Sequence, residues 1–173
     1  MTDGLNVTVR IADFSDAHSI ASIHVLSWQT AYRNIIPAAV LDALSISDRE
    51  KDWKNYLSNN VKVLILERDG VGIGFCSVCS SRDKDTGDKC GEISAIYLHP
   101  NEWGKGFGKQ LMNAGLAELK KSGFNEVIVW FIEKNDQANQ FYEKMGFVNT
   151  GDSELVDFSS VSLKEIRYKK KPI

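Results

Sequence analysis

A strand, Cys90 to Leu98, is closed by Pro100, and three glycines then follow at alternate positions in Trp103-Gly104-Lys105-Gly106-Phe107-Gly108-Lys109. Beyond them Leu111, Met112, Leu116 and Leu119 recur at helical spacing as far as Gly123. A strand that enters a helix through so many glycines leaves consecutive backbone N–H groups unshielded. They lie just where a helix N-terminus already presents unpaired donors and partial positive charge. A phosphate or pyrophosphate suits that place. The same glycines also suit a bare strand-to-helix turn. Two nucleotide readings fail on spacing: Gly-x-x-x-x-Gly-Lys-Ser/Thr is absent, and Gly-x-Gly-x-x-Gly is not completed because Lys109 follows Gly108.

The remaining pattern is α/β. Val7, Val9 and Ile11 alternate as a strand does, and Ser15 offers an N-cap before Ala17, Ile20, Ala21, His24, Trp28 and Ala31, a helix that runs out near Tyr32. Pro37 marks where a second helix can begin, continued by a polar helix from Asp48 to Leu57. Val61 to Glu67 and Val71 to Val78 read as antiparallel strands, because Asp69-Gly70 between them supplies the positive φ of a tight hairpin. Ser80 to Lys89 reads as one exposed loop. Val127 to Ile132 is apolar throughout, as in a strand covered on both faces. Ala138, Phe141, Tyr142 and Met145 define a short helix stopping at Gly146, and Phe147–Thr150 and Val161–Lys170 complete the strands. The order predicts a mixed, mostly antiparallel sheet of six to seven strands flanked by about four helices.

At 173 residues the chain is expected to be a single domain, 1–173. Its 21 Lys and Arg against 23 Asp and Glu leave a net charge of −2, which argues against nucleic acid or anionic lipid as a partner. No apolar run approaches the roughly 20 residues of a membrane span. The first residues lack a basic start and an apolar stretch, so a cytoplasmic location is expected. Cys76 and Cys79, three apart on a strand, point to opposite faces, so no metal site is expected.

The strand, loop and helix around Gly104–Gly108, together with Asn135-Asp136-Gln137-Ala138-Asn139-Gln140-Phe141-Tyr142-Glu143-Lys144-Met145-Gly146-Phe147, resemble the GCN5-related N-acetyltransferase (GNAT) superfamily. In element order the resemblance covers nearly the whole chain. It implies the GNAT fold and an acetyl-coenzyme A-dependent N-acetyltransferase acting on a primary amine of a small molecule or peptide by direct transfer in a ternary complex. A non-catalytic coenzyme A sensor or an interaction module on the same fold is the alternative. Backbone groups around Ile96, Tyr97 and Leu98 are then expected along the pantetheine arm. Trp103, Gly104, Lys105, Gly106, Phe107, Gly108 and Lys109 are expected around the pyrophosphate, and Asn135 at the pantetheine amides. Trp103 stands where the family usually carries Gln or Arg. Pairing of two copies through the last strands is a further implication.

Transfer to an amine needs a neutral nucleophile, a polarised carbonyl and a proton for the departing thiolate. A strand N–H near Ile96 to Leu98 suits the developing oxyanion. Tyr142, with an ordinary pKa of about 10, suits the acid and is expected to face the thioester sulfur; it also fits a plain core position. Glu92 stands where several family members carry a base, and is expected to bind and deprotonate the amine; a solvent-facing strand residue is the other reading. Trp28 and Tyr32, four apart on one helical line, are expected to line the acceptor pocket, although such a stripe also suits a core. His24 on the same line reads as a core histidine.

Overall fold

A computed structural model describes residues 6–173. The chain opens with β1 (Val7–Ile11) and a short 3-10 turn, Phe14–Asp16. Asp13 caps that turn: it accepts from Ser15 N at 2.8 Å while Asp16 accepts from Asp13 N at 2.8 Å. The cap is therefore Asp13 and not Ser15, because Asp13 keeps the extended backbone that an N-cap needs. α1 (Ala17–Ala31) follows, then α2 (Ala38–Asp42) behind Pro37 and α3 (Ile46–Ser58), capped by Ser45 at Asp48 N. β2 (Lys62–Arg68) and β3 (Val71–Ser80) form the expected hairpin, with Asp69 at φ 53 and Gly70 at φ 79. β4 (Cys90–Leu98), α4 (Phe107–Lys121), β5 (Glu126–Ile132), α5 (Asp136–Lys144), β6 (Val148–Phe158) and β7 (Val161–Lys170) complete the chain.

The seven strands form one sheet in the order β1-β2-β3-β4-β5-β7-β6. Only β4 and β5 run parallel, so the sheet is mixed and mostly antiparallel as expected. β6 is longer than the predicted Phe147–Thr150. As the edge strand it is exposed along nearly its whole length, so it never needed the apolar alternation by which strands are recognised.

Alternation along the inner strands sends side chains to two cores. Leu64, Leu66, Ile93, Val127, Val129 and Phe131 pack against α4 and α5; Val63, Ile65 and Phe75 pack against α1 and Trp53 of α3. α4 lies close on β3 because residue 115 is glycine: a Cβ there would stand 2.9 Å from Cys76 Sγ. No described helix is long and apolar enough to cross a membrane.

Candidate active site

The site exists because β4 and β5 part company. Only Cys90, Gly91 and Glu92 pair with Glu126, Val127 and Ile128. Along its other edge β4 carries one extra residue: Ser77 faces Ala95 and Val78 faces Ile93, so Ser94 bulges. A bulge bends its own strand, and this one falls where β4 leaves β5. The gap widens into a cavity of about 580 Å³ walled by α1, β4, β5, α5 and the start of α4.

Hydrogen bonding on β4 decides which backbone groups face that gap. His99 N–H donates to Ile73 O at 2.8 Å. In an antiparallel ladder the alternate residues turn away, so Ile96 and Leu98 direct their amides toward β5. The Leu98 carbonyl is already taken, since Ser27 Oγ and Trp103 Nε1 both donate to it, the latter at 2.9 Å. What remains open is Leu98 N–H and both backbone groups of Ile96. Tyr97 differs from the expectation: its amide faces β3, and its ring crosses to the α1 side, stacked on His24 with centroids 4.9 Å apart.

The glycine loop has the backbone an anion site needs. Gly104 and Gly106 sit at φ 74 and φ 87, left-handed values that side chains avoid, and nothing lies within 4 Å of a Cβ built on either. Space is therefore free beside both. Gly106 is the N-cap of α4 and offers no side-chain cap, so the first-turn N–H groups at Phe107, Gly108 and Lys109 have no partner within the helix. Gly108 also packs, with its would-be Cβ 3.3 Å from the Phe141 ring. Trp103 contributes differently from the residue it replaces: its indole N–H holds the end of β4 and is not available to an anion. Lys105 turns back onto buried Glu102 at 3.2 Å, which Arg68 also holds at 2.6 Å. Lys109 and Lys144 line the cavity and pair with no carboxylate among the described residues. Lys144 was missed in the sequence, where it reads as an ordinary polar helix end. Asn135 lines the cavity too, but its Oδ1 caps α5 at Ala138 N, 3.1 Å away, so only its amide N–H groups could serve a ligand.

Tyr142 is packed in the core and also borders the cavity. It is 6% exposed against Phe131, Phe141 and Phe147, and its hydroxyl makes no hydrogen bond among the described residues. Burial pushes the phenol well above its ordinary range, so it stays protonated at any working pH.

On the α1 face Trp28 and Tyr32 are packed and also line the cavity, their rings 5.0 Å apart, with Phe158 4.8 Å from Trp28. Trp28 Nε1 is buried without a partner among the described residues. Burial, with Tyr97 beside it, raises the Tyr32 phenol well above normal. His24 accepts from Trp53 Nε1 at 3.2 Å through Nδ1, which places its own hydrogen on Nε2. Burial drives His24 down to about 3, so it is neutral.

Glu92 departs most from its sequence reading. It is 1% exposed, neither solvent-facing nor free. Oε2 accepts from the Arg82 amide and Nε, each at 3.1 Å, and Oε1 accepts from Arg82 Nη2. To act as the base it would have to give up its contacts with Arg82, whose own side chain is largely solvent-exposed, so solvent screens part of that loss. Nor is the loop after β3 loose. Arg167 reaches Asp83 and Asp85 at 2.7 Å, and Trp130 Nε1 donates to Asp83 at 3.0 Å. A second cavity of about 280 Å³ opens here, lined by His24, Trp28, Arg82, Glu92, Tyr97, Trp130 and Glu165 among others. Glu165, absent from the sequence-derived site, lines both cavities.

Comparison with known proteins agrees with this geometry. The model of the acetyltransferase (GNAT) family matches residues 20–147. The chain is 34% identical over 162 residues to the uncharacterized N-acetyltransferase YuaI of Bacillus subtilis, covering 92% of this chain and 90% of that protein. It is 34% identical over 154 residues to the L-amino acid N-acyltransferase MnaT of Escherichia coli, covering 87% and 84%. Among solved structures, a GCN5-related N-acetyltransferase from Rhodopseudomonas palustris superposes with a TM-score of 0.77 at 24% identity over 95% of this chain and 94% of that one. The PaiA N-acetyltransferase of Thermoplasma acidophilum, in complex with coenzyme A, gives 0.72 at 20% identity over 96% and 99%. Those two likenesses are of fold.

Proposed function

The chain belongs to the acetyltransferase (GNAT) family and is an N-acetyltransferase, and from that premise we propose that it moves an acetyl group from acetyl-coenzyme A directly to a primary amine of a small molecule or peptide, both bound at once. One observation carries this reading. The gap between β4 and β5 joins an anion-ready face, with the α4 N-terminus, Lys109 and Lys144, to an aromatic face with Trp28, Tyr32 and Tyr97, in one cavity. A donor and an acceptor can therefore meet across the sheet without a covalent enzyme intermediate.

Bound acetyl-coenzyme A supplies the activated acyl group. The pyrophosphate is assigned to the N–H groups at the start of α4 and to Lys109, where the glycines leave room. Ile96 and Leu98 offer the pantetheine arm the hydrogen-bonding edge that β5 has vacated. Of these, Ile96 N–H is the donor we assign to the oxyanion, since a fixed amide aimed at developing charge needs no reorganisation. Tyr142 stands on the cofactor face with a free, protonated hydroxyl, and we assign it to the departing sulfur. Glu92 we assign to positioning: it fixes Arg82 and so the rim of the acceptor cavity.

The test is thiol release on mixing the protein with acetyl-coenzyme A and a panel of amines. Amine-dependent release supports the reading. Tight coenzyme A binding with no release on any amine would instead indicate a sensor.

A further inference from the structure

We propose that Glu165, not Glu92, is the carboxylate that receives the acceptor's ammonium group and takes its proton. The proposal rests on the amine-transfer reading and names the base for it.

Register places the residue. On β7 Glu165 lies across from Ile132, the last residue of β5, and directly paired residues share a face. That face is the one bearing Trp130 and Arg167, the α1 side from which an acceptor approaches. Glu165 lines both cavities, which places it at their junction. Among the described residues its carboxylate forms no ion pair and no hydrogen bond. Its acidic neighbours differ: Arg82 holds Glu92, Arg167 holds Asp83 and Asp85, and Lys164 holds Glu133.

The groups that face it are few. Glu154 pairs with it from β6, Arg82 approaches from the loop after β3, Tyr97 stands on β4, and neutral His24 projects from α1. Burial and Glu154 raise its carboxyl above the ordinary value, and Arg82 opposes them. A carboxylate with raised proton affinity is the better base. Trp28, Tyr97 and Trp130 line the same small space, and aromatic rings of this kind attract a cation.

The step balances as follows. The Glu165 carboxylate takes one proton from the ammonium, and the freed nitrogen lone pair bonds to the thioester carbonyl carbon. The carbon–sulfur bond breaks, its electron pair going to sulfur, which takes the Tyr142 proton. The new amide nitrogen sheds its second proton to solvent. Tyr142 regains one from solvent, and Glu165 returns its own to solvent, so one ammonium becomes one amide with one thiol and one proton released.

The experiment has a binding arm and a turnover arm. With coenzyme A bound, n-butylammonium is titrated calorimetrically into wild type, Glu165→Gln and Glu165→Met; the loss of a charge-assisted contact is expected to weaken binding roughly tenfold or more. Either variant suffices if the other does not fold. Equal binding, or no binding to wild type, overturns the proposal. In the turnover arm, kcat/KM with acetyl-coenzyme A and the best amine among n-butylamine, phenethylamine and L-methionine is followed from about pH 5 to about pH 9. Glu165→Gln is expected to lose about 10²- to 10⁴-fold and to lose the acidic limb of the profile, with coenzyme A affinity unchanged. Turnover within twofold of wild type and an intact limb overturn the proposal while leaving the transferase reading standing. Glu165-dependent butylammonium binding without thiol release on any amine overturns the transferase reading, and with it the base role, while leaving Glu165 as the ammonium's binding partner.

Discussion

A phenol surrounded by rings and a glycine in the left-handed region carry most of the proposed chemistry at the scale of single residues. Tyr142 is buried against three phenylalanines, so replacing it with phenylalanine removes one hydroxyl and little packing. Tyr142→Phe is expected to lower kcat about 10²- to 10⁴-fold while coenzyme A affinity stays within about twofold, as steady-state kinetics beside calorimetry will show. Unchanged kcat would remove Tyr142 from the reaction. Gly106 is subject to two constraints: its φ of 87 strains a β-branched residue by about 1–3 kcal/mol, and a side chain there fills the space an anion needs. Gly106→Val is therefore expected to weaken coenzyme A binding roughly tenfold or more and to lower the melting temperature. Normal affinity would reduce the loop to a turn.

Among the elements, the loop from Ser81 to Lys89 shows how an apparently free segment becomes a wall of the site. Its composition is that of a solvated turn, yet Arg167 on β7 gathers Asp83, Asp85 and, from β6, Asp152. The guanidinium side chain is 9% exposed, and it also stands over the Trp130 ring at 5.6 Å. Asp85 and Asp152 are half exposed, so solvent screens part of the loss when the partner is removed. Arg167→Met is expected to cost about 1–3 kcal/mol, read as a shift of the urea midpoint. It is also expected to raise KM for the amine more than for acetyl-coenzyme A, since the loop borders only the acceptor cavity. Equal effects on both KM values would detach the loop from acceptor binding.

For the whole molecule, acid sensitivity follows from one buried histidine. His24 is held near a pKa of about 3, by burial first and by Arg49 second, against 6.5 in water. The unfolded chain therefore binds the proton more readily than the folded one. Stability is fully present above about pH 6.5 and falls as the pH drops toward 3, by about 1.4 kcal/mol for each unit crossed. His24→Gln is expected to flatten the loss between about pH 6 and about pH 4, measured by urea denaturation, while the paired carboxylate of Asp16, held low by Arg10, keeps a loss at still lower pH. An unchanged slope in the variant would place the acid limb elsewhere.

The order of elements, the hairpin at Asp69-Gly70, the anion-ready loop and the apolar β5 could all be read along the chain, because periodicity and positive φ are local properties. β6 could not, since an edge strand needs no buried face. The bulge at Ser94 was equally hidden, because a shift of register exists only relative to β3, and it falls where β4 leaves β5. The two glutamates show the same division. Each sits in an ordinary strand pattern, and only the tertiary structure brings Arg82 onto Glu92 and leaves the Glu165 carboxylate without a partner among the described residues at the junction of the cavities, because the partner of a buried charge is chosen across the sheet and not along the chain.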